Sequence, residues 1–224
     1  MPPTRPLAPQ SLPDLIAKDL RERILSDELA EGSAIRQEAL AKDYAVSRMP
    51  IREALKRLEA EGLVQLTTNR GATVTQHSLD EIAEIFDLRL MLEVDLLSRG
   101  VPLMTAEDFD RCQQMLEQME DSYESDDVAA WGALNWAYHA AFYAKADRGL
   151  THDLLNRINL LCDRYVRMHL SVMEQRDAAK QEHRELLTLA QAGEVSAATD
   201  LLTRHIQRTR AELVSLIATK RAPE

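Results

Sequence analysis

The sequence predicts a mostly α-helical protein in two parts, with its β structure confined to one short hairpin near residue 70. Three observations lead there. Leu, Ala, Glu and Arg, all good helix formers, recur throughout the 224 residues, while aromatic residues make up only 4%. Apolar residues return at helical spacing from Leu12 onward. Charge divides unevenly: residues 1–75 carry 11 basic and 11 acidic side chains, so the whole formal net charge of -10 lies in the remainder. The first part can therefore approach an anionic polymer that the chain as a whole would repel.

In chain order, residues 1–11 are expected to form a flexible arm, because four of the first nine are proline. The run from Leu12 to Leu29 puts Leu15, Ile16, Leu20, Ile24 and Leu25 on one helical stripe and predicts the first helix. Two short helices follow, about Gln37–Tyr44 and Arg48–Glu61, with a tight turn through Ala45 and Val46 between them. Ser47 is placed to cap the second, and Pro50 falls in its first turn, where a missing N–H does no harm. At 100° per residue Arg48, Arg52 and Lys56 share an exposed ridge, while Ile51, Ala54, Leu55 and Leu58 form the neighbouring apolar face.

Next, Leu63–Thr67 and Ala72–Thr75 are β-rich and flank the turn-forming Asn69, Arg70 and Gly71. Three helices and a hairpin with an arginine at its tip make a winged helix-turn-helix, whose third helix enters the major groove of DNA. The stretch "GSAIRQEALAKDYAVSRMPIREALKRLEAEGLVQLTTNRGATV" resembles the DNA-binding domain of the GntR superfamily of bacterial transcription regulators over residues 12–76. That resemblance implies Arg36, Ser47, Arg48, Arg52, Arg70 and Gly71 as the residues at DNA. Two positions depart from the family pattern: Ala45 stands where glycine commonly makes the turn, and Met49 where a small or hydroxyl residue is frequent.

Beyond residue 77 only amphipathic runs remain, at 79–99, 105–124, 127–145, 149–171, 176–192 and 194–219. They predict a C-terminal antiparallel six-helix bundle over 78–219. Asn135 and His139 are four residues apart and share a helical face, and His183 and His205 come from the last two helices. Imidazoles suit Zn, Ni, Cu or Fe, but position alone leaves ordinary packing roles open. The bundle resembles the FCD effector domain of FadR-type GntR regulators. By that resemblance Asn135, His139, His183 and His205 are metal ligands, with Asn in a place where Asp also occurs. The expected cofactor is a divalent transition metal, Zn or Ni.

Arg89, four residues before Glu93, reads either as half of a surface ion pair or as an inward guanidinium. The family pattern favours the second, with Arg89 binding an effector carboxylate bidentately. His77, His152 and His169 are taken as ordinary, and Trp131 and Trp136 as core. Cys112 and Cys162, far apart and without a CxxC pattern, are expected to be reduced core thiols.

The absence of a long apolar run or a leader-like start points to a cytoplasmic chain without a membrane partner. The expected function is transcription regulation, with repression favoured over activation. A homodimer would bind a palindromic double-stranded operator and answer to a small carboxylate effector. The alternative from another class is a metal-dependent hydrolase or oxygenase built on the three histidines. No HExxH, nucleophile elbow or phosphate loop accompanies them, so the chain is expected not to be an enzyme.

Overall fold

The computed structural model describes residues 11–67, 71–125, 127–172 and 176–222. The chain divides into two compact units, one up to Gln76 and one from His77 onward.

In the first unit α1 spans Leu12–Leu25, followed by β1 (Ala34–Ile35), α2 (Gln37–Asp43), α3 (Arg48–Ala60), β2 (Val64–Thr67) and β3 (Gly71–Val74). The amphipathic stripes account for the core: Leu20 of α1 and Ile51, Ala54, Leu55 and Leu58 of α3 are fully buried against one another. Helix α1 stops four residues short of the predicted Leu29. Asp27 adopts a left-handed conformation (φ 65°), and the Leu29 N–H turns back to the Arg23 carbonyl at 2.9 Å. Leu29 still packs on the core, which is why it obeyed the helical period without being helical.

Between α2 and α3 the turn is a two-bond reversal: Val46 N–H donates to Ala41 O at 2.9 Å and Ala45 N–H to Lys42 O at 3.1 Å. Ala45 has φ 53°, the left-handed region that an L side chain resists and glycine does not. The sheet is antiparallel in the order β1-β3-β2, one strand more than the predicted hairpin. Strand β1, two residues long, is too short for a period-2 pattern to reveal. Gly71 opens β3 with φ 104°, and a Cβ there would collide with the Ile35 carbonyl of β1, so glycine lets the strands approach.

The second unit is the predicted helical bundle: α4 (Leu79–Gly100), a 3-10 turn at Val101–Leu103, α5 (Ala106–Glu124), α6 (Val128–Tyr143), α7 (Gly149–Val172), α8 (Arg176–Gln191) and α9 (Val195–Arg221). Ser78 starts α4 with a reciprocal cap, its Oγ accepting from Glu81 N–H at 3.2 Å while its own N–H donates to Glu81 Oε2 at 2.7 Å. Helix α4 is central and packs on α9, α7 and α6. At Gly100 α4 meets α6 backbone to backbone: a Cβ would collide with the Phe142 carbonyl. Cys112 and Cys162 lie in this core without a disulfide, and burial pushes both thiols up to about 11.

Candidate metal centre and nucleic-acid interface

The first unit exposes what its sequence promised to expose. Arg36, Arg48, Met49, Arg52 and Lys56 are all at the surface, and the apolar side of α3 faces inward. Arg48 forms an exposed pair with Glu38 at 2.7 Å, and Arg52 rests a terminal nitrogen 3.6 Å from the Met49 sulfur. Ser47 occupies the N-cap position of α3 with extended backbone, but its hydroxyl makes no capping bond, contrary to the sequence expectation. Gly71 is buried by its contact with β1 rather than exposed at the wing tip. Arg70 lies outside the described residues, as do residues 1–10 of the expected arm.

In the second unit three helices deliver three imidazoles to one place. His139 comes from α6, His183 from α8 and His205 from α9, and one ring nitrogen from each lies within 4.8 Å of the others. His139 Nε2 and His183 Nε2 are 3.2 Å apart. His139 and His183 are each only 1% exposed. Burial, then the neighbouring imidazoles, push the His139 pKa well below 6.5; burial, His205 and Arg208 do the same for His183. Both rings are thus held neutral, the form that coordinates a cation.

Asn135, one turn before His139, borders a cavity that His183 and His205 also line, and among the described residues its buried Oδ1 accepts no hydrogen bond. The Nδ1 atoms of His139 and His183 are likewise buried without a hydrogen-bond partner. An orphaned buried oxygen beside three imidazoles, two of them held neutral by burial, fits a divalent transition metal by donor chemistry. The cavity, of about 30 Å³, is also bordered by Arg89, Trp131, His183, His205 and Arg208.

Around the imidazoles stand carboxylates that the sequence reading did not assign. Glu182, adjacent to His183, has Oε2 2.6 Å from His205 Nδ1, and both of its oxygens accept from the Arg208 guanidinium. Burial opposes its charge, but the bonds from His205 and Arg208 outweigh this and hold its pKa below the usual glutamate value. Behind His139 lies Glu93, 0% exposed, with Oε2 4.0 Å from His139 Nδ1 and 2.5 Å from the Tyr143 hydroxyl that donates to it.

Arg89 is neither of the things its sequence suggested taken alone. It is half of an i,i+4 pair with Glu93, Nε to Oε1 at 2.7 Å, but that pair is buried, and it also borders the cavity. Burial works against the guanidinium charge, yet the Glu93 carboxylate prevails and raises the Arg89 pKa further.

Two residues set aside as ordinary also reach the cavity wall: Trp131, and His169, whose Nε2 pairs with Glu212 at 2.9 Å. His77 and His152 do not: the His77 carbonyl accepts from Arg221 at 2.7 Å, and His152 Nε2 bonds the Ala146 carbonyl at 3.0 Å. The spacing signals were present but ambiguous. Glu182 touches a candidate ligand in sequence, and Arg208 follows His205 by three residues, on the same side of α9.

A three-helix, three-strand winged unit followed by a separate helical bundle is the architecture of a transcription regulator. The chain belongs to the GntR family: residues 13–74 match bacterial regulatory proteins of the gntR family, and residues 84–208 match the FCD domain. It is 32% identical over 206 residues to the HTH-type transcriptional regulator BphR of Paraburkholderia xenovorans, covering 88% of this chain and 83% of that one. It is 27% identical over 157 residues to the gluconate operon transcriptional repressor of Bacillus subtilis, covering 70% of this chain and 64%, just under two thirds, of that relative. The solved structure of E. coli McbR/YncC superposes with a TM-score of 0.79 at 19% identity, over 93% of this chain and 100% of that one, and shares the fold. These relatives are regulators, and the hydrolase or oxygenase alternative finds no support among them. Among the described residues no helix is long and apolar enough to cross a membrane.

Proposed function

We propose that this chain is a metal-containing repressor that binds a palindromic operator as a homodimer in the cytoplasm and releases it when a small organic acid occupies the bundle. The observation that carries the reading is the convergence of His139, His183 and His205 on one another, beside a cavity that Asn135, His183 and His205 line. His139, His183 and His205 would hold the metal, with Asn135 supplying a neutral oxygen, and Zn or Ni suits such nitrogen-rich donors. When bound, the metal supplies a fixed positive charge that attracts an anionic oxygen.

The chain's own residues do the rest. Burial keeps the His139 and His183 imidazoles unprotonated. The Arg89 guanidinium, its Nε held by Glu93, borders the cavity and is the donor offered to an effector carboxylate. The cavity is small, about 30 Å³, which favours a compact acid. On DNA, Arg48 and Arg52 on the exposed side of α3 read or clamp the major groove, with Arg36, Ser47 and Arg70 of the wing at the backbone, while Gly71 lets the wing strand pack on β1.

The reading is tested in two arms. Arg52→Ala is expected to weaken binding to a DNA site selected from random sequence by roughly 5–150-fold, the equivalent of a lost bidentate base contact, with helical content unchanged. Equal gel-shift affinity at fixed salt removes Arg52 from the interface. Protein purified without an affinity tag is expected to carry about one metal per chain by elemental analysis, and His183→Ala to lose it while His152→Ala keeps it. A wild type that neither carries nor takes up metal overturns the shared site.

A further inference from the structure

We infer that Glu182 is the residue that positions His205, fixing which of its ring nitrogens faces the other two imidazoles; this rests on the metal reading above. A carboxylate offers only acceptors to its neighbours, so the His205 Nδ1 that lies 2.6 Å from Glu182 Oε2 must carry the hydrogen. Nε2 is then the nitrogen with an open lone pair. His139 and His183 already meet through their own Nε2 atoms, so in the neutral form that coordinates a cation the same nitrogen of all three rings is the one offered to a shared ion.

The arrangement is held from the far side as well. Arg208 sits one turn beyond His205 on α9, and its two terminal nitrogens grip both oxygens of Glu182, one of them at 2.7 Å. The carboxylate is therefore oriented before it orients the imidazole. Helix α8 supplies one ligand, His183, and the support of another, while α9 supplies that other ligand and the clamp on its support. Among the described residues the other two rings have no such partner: the Nδ1 atoms of His139 and His183 make no hydrogen bond there, the nearest carboxylate to His139 being Glu93 at 4.0 Å. Of the three, His205 is the ring whose orientation is set by a charged hydrogen bond.

The test uses the full chain, stripped with chelator and titrated with cobalt(II), whose visible absorption reports ligand number and geometry. Wild type, Glu182→Ala, Glu182→Gln and the double variant Glu182→Ala with Arg208→Ala are compared. Glu120→Ala serves as control, because Glu120 pairs with Arg184 on the same helix at 2.7 and 2.8 Å. Glu182→Ala is expected to weaken cobalt binding about 10–100-fold and to alter the absorption band. Glu182→Gln, which keeps an oxygen for the Nδ1 hydrogen, is expected to fall between Glu182→Ala and wild type, and Glu120→Ala to match wild type.

The double variant separates positioning from simple charge, since Glu182→Ala alone leaves an unpaired guanidinium near the cation. It is expected to stay weak; recovery of wild-type affinity would overturn the proposal. So would a Glu182→Ala or Glu182→Gln protein with wild-type affinity and band shape. Failure of wild type itself to bind cobalt would instead sink the metal reading, so the two failures are distinguishable.

Discussion

Replacing Arg89 by methionine is expected to destabilise the protein before it affects any ligand. Glu93 is completely buried, and its neighbours are the Arg89 guanidinium at 2.7 Å, the Tyr143 hydroxyl at 2.5 Å and the neutral His139 ring at 4.0 Å. Methionine keeps the apolar stem and removes the only positive charge among them. Breaking one side of a buried ion pair typically costs about 3–5 kcal/mol, because the remaining charge is left uncompensated. For a chain of this size each kcal/mol moves the melting temperature by about 2–4 °C, so a drop of roughly 6–20 °C is expected. Thermal melts followed by circular dichroism measure it. Adding Glu93→Gln in the same background removes the stranded charge while keeping an acceptor for Tyr143, and most of the loss should return. A single variant whose stability changes by no more than a surface substitution, about 0.5 kcal/mol, would refute the reasoning. So would a double variant that is no more stable than the single one. Any loss of effector response in Arg89→Met has to be read against this destabilisation, and Arg89→Lys, which keeps the charge, is the cleaner probe.

Ala45→Gly is expected to stabilise the first unit by about 1 kcal/mol, since the left-handed turn disfavours an L side chain by about 1–2 kcal/mol and glycine gives part of that back in chain entropy; urea denaturation yielding a less stable variant would contradict it. Metal-free protein should lose stability on acidification. The folded-state pKa values of His139 and His183 lie below the ordinary 6.5, so the unfolded chain takes up protons first as pH falls through that value. Their contribution is complete above about pH 6.5 and declines below it by about 1.4 kcal/mol per pH unit for each imidazole, until the depressed folded values are reached. Urea midpoints measured across this range in the presence of chelator check it, and a flat profile would show that the rings are not held neutral by the fold.

Most of the helical boundaries were legible because apolar periodicity reports burial directly, and burial of α3 along Ile51, Ala54, Leu55 and Leu58 follows from it. Where the chain packs without being helical, the same signal misleads, and Leu29 is the instance. The β1 strand was invisible because two residues contain no period. For the candidate site, the histidines were recognisable through their resemblance to a family pattern, whereas their supports were not. Glu182 and Arg208 look like ordinary members of charged helical faces in the sequence. Only the approach of α8 to α9, 26 residues apart at these positions, turns them into a pair. Arg89 and Glu93 were seen as partners, but an i,i+4 spacing is the same at the surface and in the core. Whether such a pair is solvated or buried depends on which helices cover α4, and that is a tertiary fact.

Gly100 shows how a missing side chain can govern a ring about one turn of helix from the crossing. Because α4 and α6 touch there through backbone atoms, the gap between the two helices is set by the thickness of peptide groups. The next links along the same crossing are Tyr143 donating to Glu93, and Glu93 facing His139. Any larger residue at position 100 would wedge the helices apart and lengthen both links together. The crossing therefore acts as a fixed spacer, and the tolerance to which His139 is held against its neighbours is established where α4 ends, by an atom that is not there.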